Sequence, residues 1–73
     1  MHDVIEIGRL IRAERKSQGL RQDELAAASG VGLRFVVELE RGKQTVQLGK
    51  VLAVLAALGC TLEISHPRPE SAA

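Results

Sequence analysis

The stretch Arg21-Gln22-Asp23-Glu24-Leu25-Ala26-Ala27-Ala28-Ser29-Gly30-Val31-Gly32-Leu33-Arg34-Phe35-Val36-Val37-Glu38-Leu39-Glu40-Arg41-Gly42-Lys43 decides how this chain folds. Asp23 and Glu24 place negative charge where a helix N-terminus favours it, and Leu25, Ala26 and Ala28 follow as small apolar packing up to Gly30. These residues predict a short helix over Gln22–Ser29. Only Gly30-Val31-Gly32 intervene before a second amphipathic run, with Leu33, Val36, Leu39 and Phe35 as the inward candidates and Arg34, Glu38 and Arg41 facing out. That run predicts another short helix ending near Glu40. Two short helices are therefore joined by a tight three-residue turn.

Working outward, Asp3 and Glu6 have the spacing of a capping box, and Ile7, Leu10 and Ile11 form an apolar stripe at helical spacing. A first helix is expected from about Val4 to Gln18, stopped by Gly19, with Leu20 folding back on the last turn. On the other side Gly42 offers a stop and Thr45 a cap. Leu48, Val51, Leu52, Leu55 and Leu58 then predict a fourth, strongly apolar helix. Past Gly59 the period changes to two: Cys60, Leu62 and Ile64 alternate with Thr61, Glu63 and Ser65, the pattern of a strand. Pro67 and Pro69 end regular structure. The expected organisation is one mainly α domain over residues 1–65, with four to five helices and one short C-terminal strand, followed by a flexible tail over 66–73.

A lone strand leaves its amides and carbonyls without partners, and nothing else in the chain reads as a strand. A second copy can supply them as a two-stranded ribbon across a twofold axis, with Val54 and Leu58 joining Cys60, Leu62 and Ile64 in the interface. The alternative is a frayed extended tail.

At 73 residues the chain has room for one small core, which a second copy would help to bury. Phe35 is the sole aromatic residue, so the core is built from Leu, Ile, Val and Ala. The net charge of +1 hides an uneven distribution, for Arg9 to Lys50 hold nine bases against five acids and both ends lean acidic. A basic centre suits either a phosphate backbone or a solvated surface. Cys60 is the only cysteine, which excludes an internal disulfide and fits a reducing compartment, so the cytoplasm is expected. No apolar run reaches the roughly 20 residues that span a bilayer, and Met1-His2-Asp3 does not begin a signal peptide. His2 and His66 lie near the two ends with no neighbour able to build a nucleophile or metal site. Neither catalysis nor a cofactor is expected.

The quoted stretch resembles the helix-turn-helix of lambda-repressor-like proteins almost position for position. Its logic is physical: Ala26 is small where the next helix crosses, Gly30 permits the turn, and Val31, Val36 and Leu39 fill the space between the helices. The resemblance implies double-stranded DNA as partner, with the third helix in the major groove and Gly32, Leu33, Arg34, Val37 and Glu38 at the reading positions. Arg34 can give two bonds to guanine O6 and N7, or else contact phosphate. Glu38 can accept from cytosine N4. Leu33 meets either a thymine methyl or the core or a partner. Gln22 at the start of the second helix, and Arg41, Gly42, Lys43 and Thr45 after the third, are implied phosphate contacts. Arg21 replaces the usual small hydroxyl residue, exchanging a side-chain cap for a further phosphate contact. Arg15 and Glu40 match a structural ion pair of the family. Arg9, Arg12 and Lys16 form a separate stripe, either solvated or facing DNA or protein.

Over residues 5–65 the chain resembles HipB-type antitoxins more narrowly: Ile7-Gly8-Arg9-Leu10-Ile11-Arg12, Leu48-Gly49-Lys50-Val51-Leu52, Ala57-Leu58-Gly59 and then a strand. That resemblance implies a homodimeric repressor on an inverted-repeat operator, which also binds a HipA-like serine/threonine kinase toxin. The tail from Pro67 to Ala73 is a candidate docking segment. A stand-alone phage-type or housekeeping repressor is the other reading.

Overall fold

The computed structural model describes residues 3–67. Among them stand four helices: α1 (Val4–Ser17), α2 (Gln22–Ser29), α3 (Leu33–Glu40) and α4 (Leu48–Ala57). The carboxylate of Asp3 accepts the Glu6 backbone N–H at 2.8 Å and so starts α1. At the start of α2 the Glu24 carboxylate accepts from the Arg21 backbone N–H at 2.8 Å. Arginine carries no acceptor, so the reciprocal bond of a capping box is beyond its chemistry.

All four helices close alike. The N–H of Leu20, Val31, Lys43 and Cys60 each reaches back to the carbonyl five residues earlier, at 2.8–3.1 Å, which satisfies carbonyls the helix leaves open. Gly30 makes the turn between α2 and α3 possible, since its φ of +73° is one that side chains with a Cβ resist.

α2 lies between α3 and α4, and α3 also packs on α1. The core between them is Ile11, Leu25, Ala26, Val36, Leu39, Val51, Val54 and Leu58. The crossing of α1 and α3 is close because Gly8 has no side chain: a Cβ there would stand 2.4 Å from the Leu39 carbonyl oxygen. Gln18 ties the opposite corner, donating to the Leu58 carbonyl at 2.8 Å and to Glu14 at 3.0 Å. Among the described residues, every buried side-chain nitrogen and oxygen has a hydrogen-bond partner, and no helix is long and apolar enough to cross a membrane.

Three sequence expectations need correction. Residues 60–67 form no strand, because a ladder requires a second strand and the described residues offer none. Thr45 does not cap α4, whose N-cap is Gln47 without a side-chain bond. Val54 and Leu58 do not face outward for a partner. Val54 is 0% exposed and Leu58 is buried in the protomer's own core, while Leu48 and Leu52 hold the open face of the same helix. α4 is apolar on more than one side, so spacing alone did not show which side the core takes. The expected tail over 66–73 lies outside the described residues beyond Pro67, as does His2.

Candidate nucleic-acid interface

The inward face of α3 is sealed by Val36 and Leu39, which leaves a solvent-facing side that begins at Gly32, Leu33 and Arg34. Gly32 is exposed, and a Cβ there would meet nothing within 4 Å. Leu33 is half in solvent, a large apolar side chain at the very start of the helix. The Arg34 side chain is 89% exposed. Val37 and Glu38, one turn further along, are partly covered. Leu33, Arg34, Val37 and Glu38 therefore share one side of a helix whose other side is core, with Gly32 as its N-cap.

Charge on this side is organised around Glu38. Its carboxylate lies 3.5 Å from Arg34 Nε and accepts from Lys43 Nζ at 3.3 Å. The hydrogen bond from Lys43 is the main reason its carboxyl titrates below the ordinary glutamate range, with Arg34 adding to the same effect. Lys43 is held there by its backbone as well, since its N–H donates to the Glu38 carbonyl at 3.0 Å. Gly42, between α3 and Lys43, has φ +85°, and a Cβ there would stand 2.9 Å from Ile5 of α1. Arg41 and Thr45 are exposed beside this turn.

Behind the surface lies a buried polar knot. Arg15 donates through Nε to Glu40 Oε2 at 2.6 Å, through Nη2 to Oε1 at 3.0 Å, and through Nη1 to the Leu20 carbonyl at 2.8 Å. These bonds join α1, the turn before α2, and the last residue of α3. The first of them raises the Arg15 pKa above its usual value despite burial. Gln22 enters the same knot: its Nε2 donates to Glu40 Oε1 at 3.1 Å. Its side chain thus points toward Glu40, and any phosphate at the start of α2 has its backbone amides and its remaining amide groups to meet. Arg21 leans over the same helix end toward Asp23 at 3.0 Å, in an exposed pair that also lowers the Asp23 pKa. Arg9, Arg12 and Lys16 are exposed on α1.

Sequence reasoning missed three features. Nothing in it pointed to Gln22 as a buried-side partner of Glu40, to Gly8 as a point of backbone contact, or to Lys50 placed 5.7 Å over the Phe35 ring. The i, i+4 spacing of Arg34 and Glu38 was a signal for their pairing, and it was available in the sequence.

At the C-terminal side, Leu62 and Ile64 are exposed, Ile64 at 88%. Residues 60–63, including Cys60 and Leu62, border a mostly apolar groove of about 300 Å³ whose other walls are Ile7, Leu10 and Ile11 of α1 and Leu55 of α4.

A helix-turn-helix family model matches residues 11–64. The uncharacterised HTH-type transcriptional regulator y4mF of Sinorhizobium fredii is 61% identical over 62 residues, covering 85% of this chain and 82% of that protein. The restriction-modification controller protein C.AhdI of Aeromonas hydrophila superposes with a TM-score of 0.73 at 34% identity, over 81% of this chain and 86% of that one. A chain of the HipA-HipB-O2-O3 complex superposes with a TM-score of 0.83 over 93% of this chain and 96% of that one, and at 16% identity this likeness concerns the fold.

Proposed function

This chain belongs to the helix-turn-helix family and is not an enzyme, and from that premise we propose that it is a sequence-specific DNA-binding transcriptional repressor acting as a homodimer in the cytoplasm. The observation that carries this reading is the open side of α3, where Arg34 stands 89% exposed at the end of a helix anchored by its opposite face. A helix held this way fits the major groove, and an arginine near its start suits guanine O6 and N7. Glu38 offers an acceptor to cytosine N4. Gly32, Leu33 and Val37 complete the reading side, with Leu33 placed for a thymine methyl. Arg21, Gln22, Arg41, Gly42, Lys43 and Thr45 flank it as phosphate contacts that set register.

The dimer reading is supported by what the single chain leaves uncovered. Leu48 and Leu52 on α4, with Leu62 and Ile64 beyond it, are exposed apolar side chains, and burying what remains open of each is worth about 1–2 kcal/mol. Cys60, Leu62 and Ile64 lie in a segment outside any helix, with no strand among the described residues to pair with it, and antiparallel pairing with a second copy would supply partners for its backbone. Two copies related by a twofold axis select an inverted repeat. Deletion of residues 60–73 should leave a monomer in sedimentation, and an unchanged dimer would refute the ribbon.

We further propose that the operon repressed is the protein's own and that its partner is a HipA-like serine/threonine kinase toxin. The α4 run through Leu58-Gly59 and the segment after it support this reading, together with the shared fold of the HipA-HipB-O2-O3 complex. A stand-alone regulator is the second reading, favoured by the 34% identity with the controller protein C.AhdI. Co-purification with the product of the adjacent gene separates the two.

The DNA reading itself is tested by incubating the full chain with a random duplex pool and sequencing what it retains. Enrichment of an inverted repeat is the expected result. Retention without enrichment of any sequence would overturn it.

A further inference from the structure

Glu38 places a negative charge in the middle of a surface otherwise suited to a polyanion. Its carboxylate stands between the two cations assigned above to the duplex, 3.5 Å from Arg34 and 3.3 Å from Lys43. The three side chains differ in exposure. Glu38 is 31% exposed, Lys43 46% and Arg34 89%, so the acid is the most covered member, with Arg34 at one of its oxygens and Lys43 at the other. The Lys43 N–H on the Glu38 carbonyl keeps that pair together through the backbone too.

We propose that Glu38 is a specificity-determining residue, whose carboxylate holds Arg34 and Lys43 in the free protein and opposes binding wherever a duplex offers only phosphates. The inference rests on the DNA reading of α3 and adds to it a repulsive element. On an arbitrary sequence, Arg34 and Lys43 reach phosphate only by leaving Glu38 unpaired next to a polyanion. At a site that presents guanine to Arg34 and the N4 amino group of cytosine to Glu38, both ends of the pair exchange one partner for another and neither side chain is left without a hydrogen-bond partner. Discrimination then comes from a penalty on wrong sites as well as from contacts at the right one. A glutamate carboxyl is ionised at neutral pH, and the two neighbouring cations lower its pKa further.

The test uses fluorescence anisotropy with the full chain, on the duplex selected from the random pool and on a scrambled duplex of equal length, between about 50 and 200 mM salt. Glu38→Gln should tighten the scrambled duplex by about three- to tenfold and steepen its salt dependence by up to about 0.9 per freed cation. The selected duplex should gain less or lose affinity, so the ratio between the two falls. Glu14→Gln, which removes the same charge from α1, should leave that ratio unchanged. Far-UV circular dichroism confirms that each variant is folded, and Glu38→Ala provides a second route to the same loss of charge. The proposal is overturned if Glu38→Gln leaves the scrambled duplex unchanged or weaker, if both duplexes tighten equally, or if Glu14→Gln reproduces the effect. Equal affinity of the wild-type chain for both duplexes would be a different failure, that of the DNA reading, and it would remove this proposal as well.

Discussion

Replacing Glu40 by alanine removes the hub of the buried polar knot. The Glu40 side chain is 2% exposed, and its two oxygens receive Arg15 Nε, Arg15 Nη2 and Gln22 Nε2 at 2.6, 3.0 and 3.1 Å. Truncation leaves the Arg15 guanidinium buried, still bonded to the Leu20 carbonyl but without its counter-charge. Breaking one partner of such a pair costs about 3–5 kcal/mol, chiefly because the surviving charge is stranded. A chain of 73 residues has about 4–11 kcal/mol in total, so the loss is a large share of it. With a urea slope of about 1 kcal/mol per molar, the unfolding midpoint should fall by about 3–5 M, or the chain should be largely unfolded without denaturant. The assay is urea titration by far-UV circular dichroism at fixed protomer concentration, since a dimer's stability depends on concentration. Arg15→Met with Glu40→Leu should cost less than Glu40→Ala alone, because no charge then remains inside. A loss below about 1 kcal/mol for Glu40→Ala would refute the reasoning, since it would mean that Arg15 reaches water freely.

Gly8→Ala should destabilise the chain by about 1–3 kcal/mol in the same titration, despite alanine's better helix propensity, because its Cβ meets the Leu39 and Glu40 carbonyls. Leu52→Glu should shift sedimentation toward monomer with little change in helicity, whereas Val54→Ala, in the core, should lower the urea midpoint. The Glu38 carboxyl, followed by carbon-detected NMR, should titrate below the usual glutamate range and move back up in Lys43→Ala. A depressed folded-state pKa contributes stability above the unfolded value that is lost as pH falls through the folded one. Any stabilisation from this pair is therefore present at neutral pH and disappears under acid conditions.

Much of the fold was legible because its punctuation is local. Asp3 ahead of α1, Asp23 and Glu24 in the first turn of α2, and glycines at the helix ends mark boundaries that depend on neighbours a few residues away. What was not legible depends on distant partners. Val54 and Leu52 are alike as apolar residues of α4, and only packing against the other helices, α2 among them, decides that Val54 is inside. The period-two run after Gly59 says extended backbone, while a strand also needs something to pair with. On the candidate site, Arg34 could be found from the exposed side of an amphipathic helix. Gln22 could not be placed against Glu40, because a separation of 18 positions along the chain gives no signal of that meeting.

The measurement closest to the central claim is the affinity of wild-type chain and Arg34→Ala for the selected duplex, for each of its single base-pair variants, and for a scrambled duplex. If α3 reads the groove through Arg34, the wild type loses about 1–3 kcal/mol at one base pair per half-site, and Arg34→Ala becomes indifferent there while still preferring the rest of the sequence. Equal weakening on selected and scrambled duplexes, with the base preference at every position intact, would contradict it.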